Sequence, residues 1–189
     1  AFAGGVDFRQ EEMKAGTSEQ VLSGAELRPA INLVDGKRNV WAAFSELSVP
    51  VIQDLTVDLA GRYDYYNDFG SAFSPKVGVH YILSDDWLLR ASWSRGFRAP
   101  SLPEIANSNT VSYTNAVDPF DPVTPGERRS FTQLRSGNPN LEAERSKNLN
   151  AGFIWSPSRN TNLGIDVYRI EQDKVIASDN LQFIVNNPD

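Results

Sequence analysis

The sequence predicts an all-β fold: an antiparallel up-and-down meander of about seven strands, patterned as part of a larger transmembrane β-barrel. Three observations carry this expectation. Apolar and polar residues alternate over segments of about ten residues, the period of a strand with one apolar and one polar face. Short and long connections alternate between those segments. Aromatic side chains gather at the segment ends, while the middles of the same face are small or aliphatic. No convincing amphipathic helix interrupts the series.

"AFAGGVDFRQ" and "RNVWAAFSELSVP" open the chain as weaker copies of the pattern. In "LTVDLAGRYDYY", Leu55, Val57, Leu59, Gly61, Tyr63 and Tyr65 share one face, opposed by Thr56, Asp58, Ala60, Arg62 and Asp64. In "FSPKVGVHYIL", Phe73, Pro75, Val77, Val79, Tyr81 and Leu83 stand against Ser74, Lys76, Gly78 and His80. "WLLRASWSRGF" sets Trp87, Ala91, Trp93 and Phe97 against Arg90, Ser92, Ser94 and Arg98. "KNLNAGFIW" sets Leu149, Ala151, Phe153 and Trp155 against Asn148, Asn150 and Gly152, and "TNLGIDVYRI" closes the series.

Every second connection is short: "PVIQD" (50–54), "SDD" (84–86) and "SPSRN" (156–160). The others are long, about two dozen residues after the first strand and some forty after Phe97. If Ser84, Asp85 and Asp86 form a three-residue hairpin loop, Leu83 lies opposite Trp87. Tyr81 then faces Leu89, Val79 faces Ala91, Val77 faces Trp93, His80 faces Arg90 and Lys76 faces Ser94. In the preceding hairpin, pairing Tyr65 with Phe73 sets Leu55 by Leu83 and Asp58 by His80. A slip of one residue would turn every side chain to the wrong face, so the agreement of faces is informative.

Alternation alone leaves a soluble β-sandwich open, because a dry core also wants one apolar face. The aromatic pattern favours lipid. Tyr63, Tyr65 and Phe73 mark one end and Tyr81 and Trp87 the other, like the paired girdles of a membrane barrel; Trp93 and Trp155 fall on the same face. No charge stands between the girdles, where an Arg or Lys costs about 2–4 kcal/mol. Arg95 is the exception, placed where it can snorkel to the interface. Asp58, Arg62, Asp64, Lys76, His80 and Arg90 occupy the other face and predict a polar lumen.

Composition narrows the function classes. The chain carries 18 Lys+Arg against 24 Asp+Glu, a formal charge of −6, which argues against a nucleic-acid partner. With no cysteine and one histidine, disulfide frameworks and the usual thiolate, His-metal and triad sites are excluded. No cofactor is expected, no metal site is assigned, and nothing resembles an active site. No apolar run approaches a membrane helix. The start, "AFAGGVDFRQEE", lacks the basic and apolar regions of a signal peptide. It reads as mid-strand, so the chain is expected to be a fragment.

At this point the motifs resemble a known family. "SWSRGFRAPSLPEI" is similar to the aromatic-Ser-x-Gly-Phe-Arg-Ala-Pro segment of TonB-dependent outer-membrane receptors, where a strand runs into an extracellular loop. "GNPNLEAERSKNLNAGF" resembles the family's Asn-Pro-x-Leu-x-Pro-Glu-x-Ser element, with Ala143 in place of the usual proline. "RYDYYNDFGSAFSPKVGVHYIL" fits the hairpin that normally precedes them. The resemblance implies a 22-stranded barrel closed by a separate plug. Residues 1–189 would be about a third of that barrel domain, with the plug outside this chain.

The resemblance further implies an outer-membrane receptor of a Gram-negative bacterium that imports a scarce solute. A ferric siderophore is the default cargo. Carbohydrate or other nutrient uptake, a passive channel and a soluble carbohydrate-binding β-domain are the rivals. Implied partners are outer-membrane lipid, the protein's own plug, an inner-membrane energy-coupling complex and a small-molecule ligand such as a ferric chelate. Arg98 stands where strand becomes loop. The segment from Asn107 to Asn140 adds Tyr113, Arg128, Arg129, Phe131 and Arg135, whose guanidiniums suit carboxylate or catecholate oxygens; a solvated surface loop is the plain alternative. Prolines 119, 122 and 125 predict a stiff extended path there rather than a strand, and "DPFDP" matches no calcium loop. Arg90 is expected to be satisfied by His80 and Asp58. About seven strands cannot close a barrel, so a fragment would present two unpaired edges and tend to associate through them.

Overall fold

The computed structural model describes residues 1–26 and 31–188. The chain divides into two compact units. The first comprises Ala1–Gln10, Arg38–Ala99 and Glu142–Val175; the second comprises Glu11–Lys37, Pro100–Leu141 and Ile176–Asp189. Strands β1 (Phe2–Ala15) and β2 (Ile31–Ile52) contribute residues to both.

In the first unit, β2 pairs with β3 (Leu55–Tyr66), which pairs with β4 (Gly70–Ser84) and then β5 (Trp87–Arg98), all antiparallel. β5 pairs next with β8 (Glu144–Ser158), and β8 with β9 (Thr161–Asp173). Five of the six register pairs expected for β4–β5 are present, including His80 with Arg90 and Val77 with Trp93. The sixth is not. Trp87 sits opposite Ser84, and Leu83 falls in an irregularity between Ile82 and Ser84, leaving Asp85–Asp86 as a two-residue turn. The other two short connections close the same way, with register shifts at Pro50/Ile52 and Trp155/Ser158. A bulge adds one residue to one strand and steepens the local twist, which loop counting in sequence does not reveal. In β3–β4 the expected pairing is displaced by two residues: Tyr63, not Tyr65, faces Phe73, Leu55 faces Tyr81 and Asp58 faces Gly78. A shift of two preserves the faces, so the sidedness stands although the partners change.

The second unit differs most from expectation. The segment after Phe97 is not one extended path. It opens with the short helix α2 (Leu102–Ile105) and forms a hairpin of β6 (Asn107–Val117) and β7 (Arg128–Ser136). Pro119, Pro122 and Pro125 all lie in the connection between them, where a missing amide donor costs no ladder bond. β6 also pairs with the start of β2, Ile31 opposite Val111 through Asp35 opposite Asn107. Among the described residues the strands therefore number nine rather than about seven, and the sheet is not a simple meander throughout.

Short helices α1 (Glu19–Leu22) and α3 (Leu181–Asn186) complete the elements. Gly36 permits close packing, because a Cβ there would meet Ala106 Cβ at 2.7 Å. From α3, the Gln182 amide accepts from Val117 N at 2.9 Å and donates to Val117 O at 2.7 Å, tying off the end of β6.

Candidate functional site

The registers of the first unit assign each residue to a face, because opposed residues share a side. Face A carries Trp41, Leu47, Leu59, Val77, Val79, Leu89, Ala91, Leu149, Ala151, Ile165 and Val167. Much of it is exposed: Phe73 to 62%, Trp41 to 58% and Val167 to 71%. A sandwich would bury this face under a second sheet. Tyr81, Trp87 and Trp155 stand at its short-turn end, where Trp87 stacks on Trp155 with centroids 5.7 Å apart. Tyr63 and Tyr65 stand toward the opposite end. Trp93 lies between, opposite Val77 on one side and Leu149 on the other, so it is not a strand-end residue. Arg95 lies 5.3 Å from the Trp93 ring, a cation–π contact.

Face B carries Asp58, Arg62, Asp64, Lys76, His80 and Arg90, and most of these are matched. Contrary to expectation, face A is not free of charge: Arg169 stands opposite Leu149, Lys147 between Arg95 and Glu171, and Arg145 opposite Asp173. Arg62 donates from Nε to both carboxylate oxygens of Asp64 at 3.0 Å and from Nη2 to Asp7 at 3.2 Å. His80 Nε2 lies 3.3 Å from Asp58 Oδ2, although Thr56 is its direct cross-strand partner. Lys76 stands opposite Ala60 and Ser94. Arg90 was expected to be held by His80 and Asp58, but its partner is Asp166 on β9, with Nε to Oδ1 at 2.9 Å. Arg98 forms a forked pair with Glu144, both hydrogen bonds 2.7 Å. Tyr66 joins the set: its hydroxyl accepts from Arg9 at 2.7 Å, and the Arg38 guanidinium lies 5.2 Å from its ring. Sequence reasoning missed Asp7, Arg9, Tyr66, Glu144 and Asp166. Their face is legible from alternation; their partners sit on strands remote in sequence.

In the second unit, the β6–β7 register divides the loop candidates. Arg129, Phe131 and Arg135 fall on one face, opposite Ala116, Thr114 and Thr110. Tyr113 and Arg128 fall on the other, opposite Thr132 and Val117. Arg135 also lines a cavity with Glu104, Ser108 and Asn138 and the apolar Leu141 and Ile176. Arg129 pairs with Asp121 and donates to Thr124 Oγ1 at 2.8 Å. Asp121 is buried, and its Oδ1 accepts from Val123 N and Thr124 N, both at 2.8 Å. Those backbone donors, reinforced by Arg129, hold its carboxyl below the usual carboxylate range. Asp118 accepts from Phe120 N at 2.9 Å. The "DPFDP" carboxylates thus serve turn chemistry.

An antiparallel sheet with a largely apolar exposed face and an ion-paired polar face defines a class, the strand set of a transmembrane β-barrel. The chain matches over residues 1–189 the family described as TonB dependent receptor-like, beta-barrel, and it belongs to that family. It is 29% identical over 152 residues to the iron-regulated outer membrane virulence protein of Vibrio cholerae, covering 80% of this chain and 19% of that protein. It is 26% identical over 157 residues to the ferrienterobactin receptor of Escherichia coli, covering 79% and 20%. The crystal structure of the siderophore receptor PirA from Pseudomonas aeruginosa shares the fold with TM-score 0.67 at 21% identity, over 90% of this chain and 28% of that one. The chain spans about a fifth of the length of the curated relatives it matches.

Proposed function

We propose that these residues belong to a receptor that takes up a ferric siderophore across the outer membrane of a Gram-negative bacterium. The observation that carries this reading is the likeness, over four fifths of the chain, to a protein named ferrienterobactin receptor. The family is one of receptors rather than enzymes.

In this reading, residues 1–189 form part of the barrel domain. The aromatic residues of face A, Tyr63, Tyr65, Tyr81, Trp87, Trp93 and Trp155, contact lipid. Asp58, Arg62, Asp64, Lys76, His80 and Arg90 line the lumen and meet a plug supplied elsewhere in the protein, which an inner-membrane complex moves to release cargo. Arg128, Arg129 and Arg135, with Tyr113 and Phe131, meet the anionic chelate first, and Arg98 stands at the entry to the lumen.

The test uses the full-length protein that contains these residues, folded in detergent and titrated with ferric enterobactin by tryptophan quenching. Binding is expected, and Arg135→Gln weakens it about tenfold, the loss of one charge-assisted hydrogen bond. A folded barrel that ignores ferric enterobactin would refute this cargo class.

A further inference from the structure

We propose that the peptide bond between Arg128 and Arg129 is a processing site, cut by an endopeptidase that takes a basic residue on each side of the scissile bond. The inference goes beyond the uptake reading and does not depend on the cargo. Adjacent basic residues occur at two places in the sequence, Lys37–Arg38 and Arg128–Arg129. The fold treats them in opposite ways.

Lys37 and Arg38 lie inside the 22-residue strand β2. Arg38 is 8% exposed, ion-paired with Asp68 and set against the Tyr66 ring. A bond held in this way is out of reach of a protease cleft. Arg128 and Arg129 instead open β7, and every residue from Pro125 to Ser130 is exposed. Just before them Gly126 N donates to Asp118 O at 2.8 Å, closing the turn. Exposed loop tips are where proteolytic nicking concentrates.

Three features fit this bond to a cleft. β7 ends the strand order, so among the described residues its outer edge is unpaired and can add to a protease as an extended strand. Arg128 and Arg129 stand opposite Val117 and Ala116, hence on opposite faces, as the residues flanking a scissile bond do in an extended substrate. Among the described residues Arg128 has no ion-paired carboxylate, so its guanidinium is free to enter an acidic pocket. Arg129 is guarded: the buried Asp121 pairs with it, and Thr124 Oγ1 accepts from it at 2.8 Å. Opening of that pair therefore governs the rate of cutting.

The step is hydrolysis. The Arg128 carbonyl carbon takes the oxygen of water and becomes a carboxylate, while the Arg129 nitrogen takes both water protons and leaves as an ammonium. The pairs from Ala116–Arg129 to Asn109–Ser136 still hold β7 to β6, so the two pieces stay assembled after the cut.

The test treats the full-length protein, folded in detergent, with an endopeptidase that cuts between paired basic residues. The pieces are weighed by mass spectrometry before and after denaturation. One early cut is expected, giving a downstream piece that begins at Arg129 and separates only on denaturation. R128Q/R129Q abolishes it. Asp121→Asn keeps an oxygen for the Val123 and Thr124 amides but loses the charge that holds Arg129, and it speeds the cut about fivefold. A synthetic peptide of residues 121–136 is cut with no such dependence on Asp121.

A folded protein left whole while the peptide is cut would overturn the proposal. So would a first cut at Lys37–Arg38 or at any other bond, or pieces that part without denaturant. D121N protein cut no faster than wild type would overturn the guarding role of Asp121.

Discussion

Arg90 of β5 and Asp166 of β9 form an ion pair across the intervening strand, reaching over Gly152 of β8. Gly152 lies directly opposite both residues, and its missing side chain lets two strands that are not neighbours exchange a salt bridge. A Cβ at this position would meet the Ile165 carbonyl oxygen at 2.5 Å and the Asp166 carboxylate closer still.

Gly152→Ala is therefore expected to be more destabilising than Asp166→Asn. Overpacking of this kind costs about 1–3 kcal/mol, whereas Asp166→Asn leaves the backbone undisturbed and removes a partly exposed pair. Urea unfolding of the full-length protein, followed by tryptophan emission, ranks the two. A G152A protein as stable as wild type would show that the close approach carries no energetic weight.

The Asp121 turn is expected to loosen in acid. Its carboxyl titrates below the usual carboxylate range because the folded turn presents Thr124 and Val123 amides, and then Arg129, to the ionised form. A carboxylate depressed in this way contributes stability that is present above its unfolded value, about 3.9, and lost as pH falls through its lower folded value. Amide exchange at Val123 and Thr124, corrected for intrinsic rates, should accelerate as pH drops below about 4. Exchange that is insensitive to acid, or equally fast at neutral pH in Asp121→Ala and wild type, would contradict the assignment.

Val167 offers a test of which solvent face A meets. It is 71% exposed and pairs with Ala151 midway along the apolar band. In water, Val167→Arg would change stability by no more than about 0.5 kcal/mol, as surface substitutions do. In lipid the same change costs about 2–4 kcal/mol near the midplane. Equilibrium unfolding from phospholipid vesicles separates these outcomes.

The β4–β5 hairpin shows how far local pattern reaches. Counting back from a short loop at Ser84–Asp86 placed five cross-strand pairs correctly, from Lys76–Ser94 to Tyr81–Leu89, and alternation supported the register because successive residues of a strand turn to opposite faces. The same logic placed Arg62, His80 and Arg90 on the charged side. It failed at Leu83, where a bulge absorbs a residue without changing composition. It failed again between Phe97 and Glu144, where three prolines suggested an extended path, although all three fall between β6 and β7.

Sidedness, then, was determined by the sequence alone: a period of two is a property of neighbouring residues and survives errors of register by two. Partnership beyond a short hairpin was decided only by the tertiary structure. Arg90 meets Asp166 rather than His80, Arg98 meets Glu144, and Tyr113 and Phe131 part to opposite faces. Each outcome depends on which distant strand lies alongside and in what register. Hydrogen bonds between strands and close approaches such as that at Gly152 set this, and no local pattern records it.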